Sequence, residues 1–196
     1  MALTFTLDPE LTSGLRIEII MLWTDVSNAD GAVGFVPPVT VADVRPTADD
    51  TFDGVTDGPD RLLIARDDTG RLVACLFFED PRFRLMSHWK MLKRVMVDPS
   101  VQGRGHGAAL LAEAERVARG WGLSGLKLTL RGGRNLESFY GRSGYTEVGR
   151  VPAAIRVAPG EEYDDVSMWL DLRDRPVPGR ADSSHAATSA SGHHPP

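Results

Sequence analysis

A mixed α/β fold, one sheet covered by helices on both faces, is what this sequence predicts, and three observations predict it. Apolar residues at strand spacing alternate with apolar residues at helical spacing along most of the 196 residues. Two short apolar runs sit early on either side of a hairpin turn. A third run enters a glycine-rich turn that opens an amphipathic helix.

The elements follow in order. Asp8-Pro9-Glu10 offers an N-cap, a proline at the first helical position and an acid in the first turn. A helix is expected from there to about Ser27, carrying Leu11, Leu15, Ile19, Leu22 and Val26, and stopped by Asn28-Ala29-Asp30-Gly31. Gly31 to Pro38 reads as a loop. Thr40 and Asp43 resemble a capping box for a short helix that Pro46 interrupts, before a polar stretch to Pro59. Leu62 to Ala65 and Leu72 to Phe78 are strands flanking Asp67-Asp68-Thr69-Gly70, whose acids and glycine suit a hairpin. Trp89 to Val97 is the third strand.

After the glycine turn, Leu110, Leu111, Ala114, Val117, Ala118 and Trp121 form one stripe of a helix that packs on a sheet. Leu126, Leu128 and Leu130 alternate with Lys127, Thr129 and Arg131 as a strand. Asn135 to Arg142 is a short helix closed by Gly144, and final strands are expected near Tyr145 to Val151 and Val166 to Leu172. The domain is therefore read as residues 1–172. Residues 173–196, rich in Pro, Ser, Ala, Gly and His, cannot bury a core and read as a disordered tail, with His193-His194 incidental rather than a metal site.

Composition narrows the class. A hydrophobic content of 42% at this length supports one substantial core. Met1 to Pro9 has no basic start and no sustained apolar run, and no stretch reaches the apolar length of a membrane span, so a cytoplasmic protein is expected. The single cysteine, Cys75, lies in an apolar run and reads as a buried structural thiol. A net charge of −5 disfavours a nucleic-acid partner and favours a cationic acceptor such as an amine.

The chemistry concentrates in Val95-Met96-Val97-Asp98-Pro99-Ser100-Val101-Gln102-Gly103-Arg104-Gly105-His106-Gly107-Ala108. Glycines let the main chain approach a ligand, and the following helix aims its unpaired N–H groups at the same place, which suits a pyrophosphate. Each N–H bond to a charged oxygen is worth about 1.5–3 kcal/mol against roughly 0.3–1 for the helix dipole, so the amides dominate. A P-loop is excluded because Gly107-Ala108-Ala109 stands where Gly-Lys-Ser/Thr is required. Gly103-x-Gly105-x-x-Ala108 matches a dinucleotide fingerprint in name only. Asp98 to Val101 separate it from the strand, and the next strand ends in Arg131 instead of an acid.

The second block, Asn135-Leu136-Glu137-Ser138-Phe139-Tyr140-Gly141-Arg142-Ser143-Gly144-Tyr145, follows at the right distance. With both blocks in place, the chain resembles a GCN5-related N-acetyltransferase over roughly residues 60–150. That resemblance implies a mixed, mostly antiparallel central sheet with splayed central strands and flanking helices. It also implies acetyl-CoA as donor, with no metal. Gln102, Gly103, Arg104, Gly105, Gly107 and Ala108 would hold the pyrophosphate, and the main chain of Val95 and Val97 the pantetheine arm. Val97 or a neighbour would polarise the thioester. Tyr140 matches the family tyrosine that serves the departing thiolate, although an aromatic packed beside Phe139 reads the same. Asn135 either bonds the cofactor arm or caps the short helix.

Many relatives carry a glutamate where Met91 stands, so the base is open: Glu79, Asp80, His88 or solvent. The resemblance places the first helix, the Gly31 to Pro38 loop and the segment near 77–88 around the acceptor. Their apolar and acidic mix suits a small amine, and a weaker similarity to the tabtoxin-resistance type of acetyltransferase points the same way. The expected partners are thus acetyl-CoA and an amine-bearing small molecule, with no nucleic acid and no membrane, and a homodimer is allowed. A protein or peptide acceptor, a silent acyl-CoA binding module and, more distantly, a dinucleotide-dependent oxidoreductase are the alternatives.

Overall fold

The protein is described by a computed structural model covering residues 2–173. The segment read as a tail lies, apart from Arg173, outside the described residues. Seven strands, β1 (Thr4–Leu7), β2 (Arg61–Arg66), β3 (Leu72–Glu79), β4 (Trp89–Val97), β5 (Gly125–Arg131), β6 (Thr146–Ala158) and β7 (Glu161–Asp171), form one sheet in the order β1-β2-β3-β4-β5-β7-β6. Every neighbouring pair is antiparallel except β4 and β5, which run parallel. The mixed, mostly antiparallel sheet is thus present.

Helices cover both faces. On one, α1 (Ser13–Asn28) and α2 (Val41–Thr56) bury Ile19, Trp23, Val44 and Phe52 against Leu62, Ile64, Cys75, Phe77 and Met96. On the other, α3 (His106–Gly120) and α4 (Leu136–Arg142) bury Leu110, Leu111, Ala114 and Tyr140 against Leu76, Phe78, Leu92, Leu126 and Leu128. The period-two alternation of the strands is what divides these sets between the faces.

The N-terminal expectation is corrected. Asp8 does not cap a helix, because its carboxylate is taken by Arg61 and by the Leu62 N–H at 3.2 Å, while its own N–H donates to the Leu62 carbonyl at 2.8 Å. The preceding residues continue that pairing as the edge strand β1, and α1 starts later, with the Thr12 hydroxyl accepting from the Leu15 N–H at 3.2 Å. The capping box of Thr40 and Asp43 is present, but Pro46 does not interrupt the helix. A missing N–H and a ring clash cost about 3 kcal/mol in a helix interior, and burial of Val44, Ala48 and Phe52 offsets it.

The hairpin between β2 and β3 turns through Gly70 at φ 84°, with the Asp67 carboxylate accepting from the Thr69 and Arg71 N–H groups at 2.9 and 3.1 Å. β6 and β7 extend well beyond their expected lengths. Pro152 interrupts no ladder that matters, since β6 is an edge strand, and a bulge at Ala153 (φ 54°), whose N–H reaches Asp164 at 3.1 Å, carries the hairpin past it.

Two features of β4 prepare a site. Its register against β3 slips by one residue between Cys75 and Phe77, and Arg94 takes up the extra residue with a left-handed φ of 52°. Against β5, it pairs only through Trp89, Lys90 and Met91, opposite Gly125, Leu126 and Lys127. Beyond Met91 the two strands part. The paired end is clamped by the edge-on contact of Trp89 with Trp169, ring centres 6.0 Å apart, and Trp169 lies where a side chain on Gly125 would have to go.

Candidate active site

The parting of β4 from β5 leaves main-chain groups of Val95 without a partner on the β5 side, and such groups need one. A cleft of about 640 Å³ opens there, lined by Val95, Val97, Gln102, Gly103, Gly105, Gly107, Ala108, Phe139 and Tyr140 among others. The sequence blocks that lie some thirty residues apart therefore share one cavity. They also touch. A Cβ on Gly107 would stand 2.9 Å from the Phe139 ring, so the glycine of the first block makes room for the aromatic of the second.

Gly103 and Gly105 have φ of 75° and 83°, and nothing lies within 4 Å of where their Cβ atoms would be. Left-handed backbone over open space, at the start of a 15-residue helix, is the geometry in which several N–H groups can converge on an oxyanion. The loop thus fits the diphosphate of coenzyme A. Val97 is less free than expected: its carbonyl accepts from the Gln102 side chain at 3.1 Å, so Gln102 braces the loop against β4. Arg104 and Asn135 do not line the cleft. Arg104 is exposed, and Asn135, with φ 59° at the N-cap of α4, makes no side-chain cap bond. His106, at the start of α3, is buried with its Nε2 unpartnered among the described residues.

Tyr140 is 9% exposed and packs edge-on against Phe139 and Tyr145 at 5.0 and 5.8 Å. Its hydroxyl has no hydrogen-bond partner among the described residues, although its carbonyl accepts from the Ser143 and Tyr145 N–H groups. Burial pushes the phenol pKa up, so the group stays protonated. The ring thus packs while the hydroxyl keeps its hydrogen-bonding capacity.

A second cleft, of about 340 Å³, shares Ala32, Val33, Val95 and Tyr140 with the first. The loop from Ala32 to Val36 walls it. The segment 77–88 does not: Phe77, Glu79 and Arg82 line a separate depression with Asp50 and Asp60, which adjoins through Lys93 and Arg94. The charge lining this cleft is mainly basic. Lys93, Arg94, Arg131 and Arg156 line the second cleft, against one carboxylate, Asp165.

Sequence reasoning missed Arg94 and Arg131. Arg94 lies over the Trp23 ring at 4.8 Å, and burial lowers its pKa while the charge of Glu79 opposes that shift. Arg131, 6% exposed, lies over Tyr163 at 5.2 Å and 3.3 Å from Asp30, a carboxylate it shares with Arg134. The Nε–H of each is buried without a partner, and a buried unsatisfied donor costs about 1–3 kcal/mol, more when charged. Only the alternation that made Arg131 look solvent-facing was available beforehand, and it pointed the wrong way.

Of the groups weighed as base, Asp80 is tied to Lys90 at 2.5 Å, which holds its carboxyl below the usual range, and His88 is exposed. Glu79 pairs across the ladder with Met91, so the two side chains share a face, but it lines the adjoining depression. Among the described residues no group of three or more His, Cys, Asp or Glu is placed to hold a metal, and no helix is long and apolar enough to cross a membrane.

A parted strand pair, a glycine loop at a helix start and a buried tyrosine lining both clefts are thus brought together. Residues 21–145 match the Acetyltransferase (GNAT) family, and the chain belongs to that family of N-acetyltransferases, whose members generally use acetyl-CoA. Comparison with curated protein sequences yields no match. Similar solved structures include one assigned provisionally as a phosphinothricin N-acetyltransferase, at 22% identity and TM-score 0.72, covering 87% of this chain and 99% of its own. A GCN5-related N-acetyltransferase from Kribbella flavida is 20% identical, with TM-score 0.70 and coverage of 87% and 98%. A ribosomal-protein-alanine N-acetyltransferase from Brucella melitensis is also 20% identical, with TM-score 0.66 and coverage of 88% and 100%. At these identities the structures share the fold.

Proposed function

We propose that this protein transfers the acetyl group of acetyl-CoA to a primary amine of a small molecule by direct attack, with Tyr140 serving the departing sulfur. One observation carries the reading: Tyr140, whose hydroxyl has no partner among the described residues, lines both the glycine-loop cleft and the second cleft. The first cleft would hold the donor and the second the acceptor, so the thioester would meet the amine beside that phenol.

In such a transfer the amine lone pair forms the new C–N bond, the C–S bond breaks, and the sulfur leaves as thiolate. Little is asked of the protein beyond placement and charge stabilisation. A main-chain N–H of β4 at or beside Val97 would polarise the carbonyl. With phenol near 10 and thiol about 8.5 at reference, and Tyr140 raised further by burial, full proton transfer is uphill. Tyr140 therefore acts through a strong hydrogen bond with partial transfer of its proton. The proton lost by the amine goes to solvent or to Asp165, the one carboxylate among the described residues of that cleft.

A small acceptor is favoured by the modest second cleft, walled by the Ala32 to Val36 loop. Release of free thiol from acetyl-CoA across amino acids, polyamines, aminoglycosides and peptides tests the reading. Turnover of at least one small amine is expected. Turnover of peptides alone would move the acceptor to proteins, and CoA binding without any thiol release would make the chain a binding module.

A further inference from the structure

Resting on the acetyltransferase reading, we infer that the acceptor is an amine that also bears an oxyanion, held by Arg94 and Arg131 in the second cleft. The charge count there is lopsided. Arg156 is mostly exposed and already paired with Glu162 at 2.6 Å, so it adds little. Lys93 and Arg94 form no ion pair among the described residues. Arg131 and Arg134 share the single carboxylate of Asp30. Against this surplus stand Asp165, the cross-strand partner of Arg131 on the same face of the sheet, and Glu79, whose charge acts on Arg94 from the adjoining depression.

A half-buried and a buried arginine, each with a buried Nε–H lacking a partner, are poor company for an acceptor that is cationic throughout. A polyamine would bring like charge into a half-buried site. A guanidinium presents a fork of donors that matches the two oxygens of a carboxylate, and a tetrahedral phosphonate or phosphinate offers the same edge. The positions also suit a bifunctional ligand. Arg94 is fixed by the β4 bulge and by Trp23, Arg131 by Tyr163 and Asp30, and Tyr140, beside which the thioester would lie, lines the same cleft. The acceptor then enters oriented, oxyanion toward the arginines and nitrogen toward the thioester.

The test uses matched acceptors for several side chains: the α-amino acid, its primary amide, the amine lacking the carboxylate, and the aminophosphonate. Thiol release from acetyl-CoA is followed with the full chain, and CoA affinity is measured by calorimetry alongside. The expected result is a kcat/KM for at least one oxyanion-bearing acceptor tenfold or more above its amide and decarboxylated partners. The carboxylate and phosphonate arms tell which oxyanion is preferred. Arg94→Gln should collapse that ratio tenfold or more, chiefly through KM, and Arg131→Gln offers a second route should the first fail to fold. Amides, simple amines or polyamines used as well as the oxyanion series, or a ratio unmoved in both variants, would overturn the inference while leaving acetyl transfer intact. Absence of CoA association and of thiol release with every acceptor would overturn both.

Discussion

The clefts proposed for donor and acceptor share Tyr140 yet are made of different material. The donor side is built from main chain: left-handed Gly103 and Gly105, the opening turn of α3, and the edge of β4 that parts from β5. The acceptor side is built from side chains, Lys93, Arg94, Arg131 and Asp165, which three strands and a loop bring together. On the proposed reading the first would hold phosphates through its main chain and has little freedom to change. The second can be rewritten residue by residue without disturbing the sheet, which is how one fold can serve many acceptors.

The largest effect should come from putting a side chain into the main-chain site. Gly105→Val places a β-branched residue at φ 83°, where left-handed backbone costs an L-residue about 1–2 kcal/mol, and its bulk enters the space needed by the ligand. Losing two N–H bonds worth about 1.5–3 kcal/mol each raises the CoA Kd by roughly 10²-fold or more. Calorimetry decides it, and an unchanged Kd would show that the loop amides do not hold the diphosphate. Next in size, Tyr140→Phe should lower kcat and kcat/KM together by roughly 10²-fold, because the hydroxyl acts after both substrates are bound. Unaltered turnover would leave Tyr140 as packing only.

The same contrast explains what could be read from the chain. Gly103, Gly105 and Gly107 stand together in sequence because a main-chain site is local, and Phe139-Tyr140 follow on the helix they pack, so the donor cleft was legible. β4, α3 and β5 were legible too, their periodicity being uninterrupted. Arg94 and Arg131 were not, since a bulge and the parting of two strands decide where they point, and neither leaves a local pattern. β1 is too short for periodicity to show, and α2 passes through Pro46 only because tertiary burial outweighs a local penalty. The arm of the β6–β7 hairpin beyond Val151 has both faces largely exposed and so lacks an alternating signature.

A smaller, shared effect should appear at alkaline pH. Cys75 lies opposite Met96 on β4, in the core beneath α1 and α2, and burial pushes its thiol up to about 12. The unfolded chain loses that proton near 8.5 while the folded chain keeps it, so ionisation favours unfolding in between. Stability should be unaffected by this group below pH 8, then fall by about 1.4 kcal/mol per pH unit until the folded thiol itself titrates. Denaturant unfolding at several pH values measures the slope, and Cys75→Ala should remove that part of it. A slope identical in the variant would assign the loss to other groups.

The finest test concerns Asn135, where the two kinds of site are hardest to tell apart. Its left-handed φ of 59° is a main-chain demand that glycine meets equally well, whereas an amide bonded to the cofactor arm is a side-chain contribution that glycine lacks. Asn135→Gly therefore separates them. Because the side chain makes no cap bond and does not line the donor cleft, the expected outcome is a CoA Kd within about twofold of the native value and a stability change of a few tenths of a kcal/mol. A Kd raised about tenfold would match one lost hydrogen bond of about 1.4 kcal/mol. In that case the donor cleft would include a side-chain grip after all, and the division between the two clefts would be one of degree.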